Sequence, residues 1–327
     1  MRFSIRLGEI KNEQFQKALD YFSLGKLLNA KAIPFGNFGQ NVFLTTDKGE
    51  YVFRGKPHYS WQFKNEKLMT DLLHKKTKTP VAYPYLINEN KIIFGWGYAI
   101  SPKLKGKQII DEKTRKELTQ KDWKELAKAY GQNLAEMHSL IYEYPGKYTD
   151  NYEGIKPFSP SYSSWIIDSI NHLLEKSLSH NNKTTKEDAN WVQKIIRDGK
   201  EALNIPFVPS FVMQDYQQSN TLADKINGKW YVVGVFDFME SYFGDYEADL
   251  PRMRAQLIDQ NKKLADIFLK TYLLIKKPRA GFEKRYPIYV ILDRLLVWEW
   301  LQRNNNQLIN KNSLKEWCEK YTQLDYS

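Results

Sequence analysis

The feature that most constrains this chain is an ordered set of three polar residues around one predicted hairpin. Asp215 and Asn220 lie in FVMQDYQQSN, and Asp237 closes the apolar run WYVVGVFDF. Between them, TLADKINGKW reads as a strand, an Asn227–Gly228 turn and a return strand. The order is a loop aspartate, an asparagine five residues on, a hairpin, and a second aspartate ending a strand. Phosphoryl transfer from a nucleotide needs such groups: one carboxylate to take or orient a substrate hydroxyl, with an amide and a second carboxylate to hold Mg²⁺ against the phosphates. Singly, each is also an ordinary turn or strand-end residue. Together, in this order, they point to catalysis.

The rest of the chain divides by pattern. IPFGNFGQNVFLTT (33–46), EYVFRG (50–55) and KIIFGWGYAI (91–100) carry β-branched and aromatic residues separated by turn chemistry. One helix, at 62–74, interrupts them. From about Thr114 the apolar spacing becomes helical, as at 123, 126, 127, 130, 134, 137 and 141. Further helices are expected at 163–178, 189–203, 251–276, 287–303 and 313–323, with Thr185 and Asp188 as a capping pair. The stretch 211–238 is the strand-like part of the second half. The expected fold is α+β, with a small β-rich N-lobe (1–102), a hinge near 100–106, and a large helical C-lobe (103–327).

In the N-terminal part, Gly36 and Gly39 lie between apolar strands and would let the backbone approach phosphates closely. The next strand ends in YVFRGK. A cation there, Arg54 or Lys56, could bind phosphates, and Glu66 on the following helix could pair with it. Residues 54 and 56 share a strand face, so either side chain could reach. Past Asp237, Asp245 and Asp249 precede a helix and are expected to support the catalytic loop through backbone N–H bonds.

Composition excludes other classes. With 327 residues, 42% hydrophobic and 27% charged, the chain is long enough for a substantial core. The most apolar window, 288–301, contains Asp293, Arg294 and Glu299 and is too short to span a bilayer. No secretory signal is expected after MRFSIRLGEI. The single cysteine, Cys318, excludes an intramolecular disulfide and a Cys-based zinc cluster, and fits a reducing cytoplasm. The five histidines form no ligand spacing, and His138 reads as a packed helical residue. The net charge of +11 is mostly spread along the chain, as on a solvated surface, and the aromatics fall at core spacing rather than in a stacking row. Nucleic-acid binding is therefore disfavoured.

These motifs resemble the aminoglycoside phosphotransferase family, small-molecule kinases with the protein-kinase fold, and most closely its hygromycin-type members. The residues carrying the likeness are VMQDYQQSN, GVFDF and GDYEADL, with NLAEMHSL and YVFRGK upstream. Met213 departs from the family's usual histidine, and Arg54 from its usual lysine. The resemblance implies Asp215 as catalytic base or orienting group, Asn220 and Asp237 as Mg²⁺ ligands, and ATP or GTP as donor. It also implies a two-lobed kinase-like fold and a small-molecule acceptor, contacted from within 145–180 and 240–300. An aminoglycoside, another sugar, a nucleoside and an amino alcohol all remain open, with Glu240, Asp245 and Glu247 as local acid for a cationic one. The alternative of a Ser/Thr protein kinase finds no APE-like segment and little room for an activation loop.

Overall fold

The computed structural model describes residues 2–33, 39–110, 112–152, 154–180, 183–304 and 313–324. The chain opens with a short arm, β1 (Arg2–Ser4) and β2 (Gly8–Glu9), followed by α1 (Asn12–Tyr21). Five antiparallel strands then form one sheet: β3 (Leu27–Ala32), β4 (Asn41–Thr46), β5 (Gly49–Gly55), β6 (Leu86–Asn88) and β7 (Tyr98–Pro102), in the order β3-β4-β5-β7-β6. The helix α2 (Gln62–Lys76) lies between β5 and β6 in sequence. Val42, Leu44, Phe53, Tyr98 and Ile100 pack with Phe15 and Leu19 of α1 into a core of their own.

Helices dominate thereafter. α3 (Glu112–Glu117) and α4 (Gln120–Met137) lead to the short strands β8 (Gly146–Tyr148) and β9 (Ile155–Pro157), then to α5 (Tyr162–His180) and α6 (Lys186–Leu203). β10 (Ser210–Val212) joins β13 (Tyr242–Gly244), β8 and β9 in a second sheet, ordered β10-β13-β8-β9. β11 (Thr221–Ile226) and β12 (Lys229–Val235) form the separate hairpin. The chain closes with α7 (Leu250–Gln260), α8 (Lys262–Ile275), α9 (Phe282–Arg303) and α10 (Leu314–Thr322). A second, larger core runs from Leu126 and Tyr130 through Phe211 and Phe243 to Ile291, Trp298 and Cys318. The fold is α+β and two-lobed, a small antiparallel sheet followed by a helical body.

The hairpin turn is as expected, with Asn227 and Gly228 both left-handed at φ 51° and 80°. That is the geometry of a tight turn matched to strand twist. The segment linking the lobes docks on this hairpin, where Lys107 N donates to Ala223 O at 2.9 Å and Ala223 N donates back to Lys107 O. Gly106 is required there. Its φ is +125°, and a Cβ would stand 2.6 Å from Val233 Cγ2.

Several expectations need correction. α1 is an additional helix with a faint sequence signal, because its buried residues Phe15, Ala18 and Leu19 form a narrow stripe in a mostly polar segment. The run 91–100 is a strand only from Tyr98, since residues 92–94 form a turn closed by Gly95 N donating to Lys91 O at 2.7 Å, with Gly95 left-handed at φ 80°. Expected helix 251–276 is two helices, because Asn261 leaves the helical conformation and its side chain caps α8 through Lys263 N at 3.0 Å. α9 starts at Phe282, not 287, and continues through Pro287, which lies inside the helix and leaves the Glu283 carbonyl without its i→i+4 donor. The strand-like part of the second half extends past 238 to β13. The capping pair Thr185–Asp188 forms as expected. Among the described residues, no helix is long and apolar enough to cross a membrane.

Candidate active site

The loop between β10 and β11 carries Asp215 and ends in a 3-10 turn at Gln218–Asn220. Asn220 Nδ2 donates to Asp215 Oδ2 at 2.8 Å and to the Asp215 carbonyl at 2.9 Å. Gln217 Nε2 donates to the other carboxylate oxygen at 2.8 Å. Asp237 lies two residues beyond β12, held beside the loop by Phe236 N donating to Asn220 O at 3.2 Å. Its φ of 74° is rare for a residue with a side chain, and its carboxylate meets Arg54 Nη2 at 3.4 Å. The hairpin thus returns Asp237 to Asp215 and Asn220. Both carboxylates remain accessible, at 31% and 29% side-chain exposure.

The loop backbone is fixed from below. Asp249 accepts Met213 N at 2.6 Å and Gln214 N at 2.8 Å. This allows Gln214 to take φ 65°. Buried His138 joins Asp249 (3.2 Å) to the Tyr272 hydroxyl (2.7 Å), so it packs and positions. Tyr216 anchors the loop to α4 by donating to Tyr130 O at 3.1 Å. On α7, Gln256 Oε1 accepts Gln218 N at 3.0 Å.

From the small lobe, Arg54 Nη1 reaches Glu66 at 2.5 Å and Nη2 reaches Asp237 at 3.4 Å. Burial works against the charged guanidinium, but Glu66 foremost, then Tyr85 and Asp237, hold its pKa above the ordinary value. Lys56 takes another course. It lies just past β5 at φ 51°, is exposed, and donates to Arg6 O at 3.2 Å. The shared strand face expected for 54 and 56 fails because the strand has ended. Gly39 is left-handed at φ +58°, and its carbonyl accepts Ser4 Oγ at 2.6 Å. Gly36 lies outside the described residues.

Two supporting roles also change. Asp245 does not bond the catalytic loop; it pairs with Arg279 and accepts Tyr289 Oη at 2.6 Å. With Glu247, it is fully buried on Arg279 and Arg285, so neither supplies acid to a ligand.

Sequence reasoning missed three residues. Asn65 on α2 donates to Met239 O at 2.8 Å and ties that helix to the segment after Asp237. Tyr85 donates to Glu66 Oε2 at 2.5 Å. Arg252 on α7 stands 3.3 Å from Asp215 Oδ1 and donates to Asp293 Oδ1 at 2.6 Å. Their partners are distant in sequence; only the position of Arg252, three residues past Asp249, offered a signal.

Although one edge of Asp215 stays open to solvent, the protein packed around it pushes the carboxyl above its ordinary value of 3.8, against the pull of Arg252. Arg252→Met should therefore raise this pKa further and move the acid limb of the kcat/KM profile upward by about one unit or more. Activity at pH 6 would fall more than at pH 8. Asp293 keeps Arg294 at 2.6 Å, so the variant should fold. An unmoved limb would show that Arg252 does not act on Asp215.

A carboxylate carried on a pinned loop, a neighbouring amide–carboxylate pair, and a small-lobe Arg–Glu pair whose arginine reaches across to Asp237 define a kinase-like phosphotransferase architecture. The chain belongs to the APH phosphotransferase enzyme family, whose family model matches residues 29–285. Solved structures share the fold at low identity. One is the structure of a putative aminoglycoside phosphotransferase from Ralstonia eutropha JMP134, at 14% identity and TM-score 0.65 over 96% of this chain and 95% of that one. A second is the GDP complex of aminoglycoside 2'-phosphotransferase-IIIa, at 13% and 0.65 over 96% and 99%. A third is a thermostable mutant of aminoglycoside phosphotransferase APH(4)-Ia with ADP and hygromycin B, at 13% and 0.67 over 94% and 97%. No curated protein matches the sequence.

Proposed function

We propose that this protein transfers the γ-phosphate of ATP or GTP to a hydroxyl of a small molecule, with Mg²⁺, in the cytoplasm. The observation that carries this reading is the convergence of Asp215, Asn220 and Asp237 at the lobe junction, with Arg54 and Glu66 facing them. Asp215 orients the acceptor hydroxyl and takes its proton as the oxygen attacks phosphorus. Arg54, rather than Lys56, is the cation for the α- and β-phosphates, with Glu66 fixing its direction and Gly39 in the loop that approaches them. We place the nucleotide-binding lobe at 1–102 and the catalytic lobe at 103–327.

The donor set fits Mg²⁺. Asn220 spends its Nδ2 protons on Asp215 and so presents a carbonyl oxygen, and Asp237 presents an accessible carboxylate. Among the described residues no group of three or more His, Cys, Asp or Glu is placed to hold a metal. Mg²⁺ suits a site with few protein oxygens, because it keeps waters and takes the rest of its shell from nucleotide phosphates. Bound there, it would neutralise charge developing on the phosphates.

Support for a small acceptor comes from the segment after Asp237. It runs directly into β13, a 3-10 turn at Tyr246–Asp249 and α7, leaving no extended platform for a peptide. Purified protein with Mg²⁺ and ATP or GTP should phosphorylate a hydroxylated acceptor, detected by mass as one added phosphoryl group. Failure of any nucleotide to bind would end this reading.

A further inference from the structure

A cleft of about 200 Å³ opens beside the catalytic loop, with Lys147, Trp165, His172, Gln214, Glu240 and Tyr242 among its walls. Gln214 adjoins Asp215 in sequence, and the Glu240 carboxylate is close enough to sense the charges of Asp215 and Asp237. The cleft therefore opens beside the loop that carries Asp215. It is small, since pockets for drug-sized ligands span about 300–1,000 Å³.

Its charge is also unlike that of a trap for a polycation. Glu240 is the one carboxylate among the lining residues, and Lys147 opposes it. Asp245 and Glu247 are committed to buried arginines. The remaining surface is largely aromatic and aliphatic. Trp165 stacks on Phe158 (ring centroids 4.1 Å apart, planes at 21°) and meets Tyr242 edge-on at 4.9 Å. These neighbours fix the indole so that it offers a preformed flat wall, with leucines of α5 and α9 beside it. Although open to solvent at the cleft mouth, Glu240 is pushed above its ordinary pKa by surrounding protein, with Asp215 and Asp237 adding to the effect. A single ammonium group would relieve that cost.

On the phosphotransferase reading given above, we propose that the acceptor is a compact hydroxylated molecule carrying one cationic amine and a flat or apolar face, not a polyamine sugar. The amine pairs with Glu240, the apolar face lies against Trp165, and the hydroxyl is directed to Asp215. In the reaction, the hydroxyl oxygen bonds to the γ-phosphorus and the bond from that phosphorus to the β–γ bridging oxygen breaks. The nucleoside diphosphate leaves with that electron pair, and the hydroxyl proton passes to Asp215.

The test compares acceptors on the full chain with Mg²⁺ and ATP or GTP. The amine probes are phenylalaninol and tyrosinol, 3-phenylpropan-1-ol is their amine-free counterpart, and kanamycin and hygromycin B are the polyamine probes. Expected is a higher kcat/KM for an amine probe than for either antibiotic. Glu240→Gln should raise KM for that probe about ten- to a hundredfold while leaving KM for the amine-free alcohol within about twofold, reflecting loss of a charge-assisted contact. A merely structural role for Glu240 would move both alike, and that result overturns the proposal. So does faster turnover of kanamycin or hygromycin B, or no turnover of any amine probe. Nucleotide binding measured in parallel separates the two levels. Mg²⁺-dependent binding with the wrong acceptor preference removes only the acceptor class, whereas no binding removes the phosphotransferase reading as well.

Discussion

Asp215→Asn should lower kcat by about 10²–10⁴-fold, the range that a positioned general base contributes. Nucleotide affinity should stay within a few-fold of wild type, because Asp237 and Arg54 are untouched. The isosteric amide keeps the loop filled, although one of its N–H groups would face Gln217 or Asn220, which now donate to the carboxylate. Stability should move the other way. The folded-state pKa of Asp215 is raised above 3.8, chiefly by burial. Such a group contributes stability that is fully present below the unfolded pKa and lost as pH rises through the folded one. At pH 7 the neutral amide removes that cost, so the variant should melt higher than wild type, and the gain should vanish toward pH 4. Unchanged kcat would remove Asp215 from the chemistry.

Arg285→Met should cost about 3–5 kcal/mol of unfolding free energy, the range for stripping one partner from a buried ion pair. The guanidinium is fully buried and reaches Glu247 Oε2 at 2.6 and 2.8 Å and Asp245 at 3.3 Å. It also donates to the carbonyls of Ala202 (3.0 Å) and Ala280 (2.9 Å). Methionine fills much of the volume but satisfies none of these groups. Burial and Asp245 already push the Glu247 carboxyl up, so without Arg285 it should take a proton. Denaturant titration reads the loss. A change below about 1 kcal/mol would mean that Arg279 alone carries both carboxylates.

The catalytic stretch was legible because its information is local. Asp215, Asn220 and Asp237 stand within one hairpin's length, and Asn227–Gly228 fixes how that hairpin closes. Long helices with regular apolar spacing, such as α4, were legible for the same reason. What escaped is set by distant contacts. Arg252 meets Asp215 only because α7 packs under the loop, and Tyr85 reaches Glu66 only once β6 has joined the sheet edge. Asp245 and Asp249 both precede α7 and look alike in sequence. Packing sends Asp249 to the loop and Asp245 to two arginines. The choice between Arg54 and Lys56 turned on where β5 ends, and strand ends are poorly marked by residue type alone.

The most direct measurement is calorimetric titration of ATP and GTP into the wild type and Asp237→Asn, each with and without Mg²⁺. The expected result is nucleotide binding that Mg²⁺ strengthens in the wild type, by at least about tenfold, and that Mg²⁺ leaves nearly unchanged in the variant. Failure of the wild type to bind either nucleotide, or an equal response to Mg²⁺ in the two proteins, would contradict the placement of nucleotide and metal at this site.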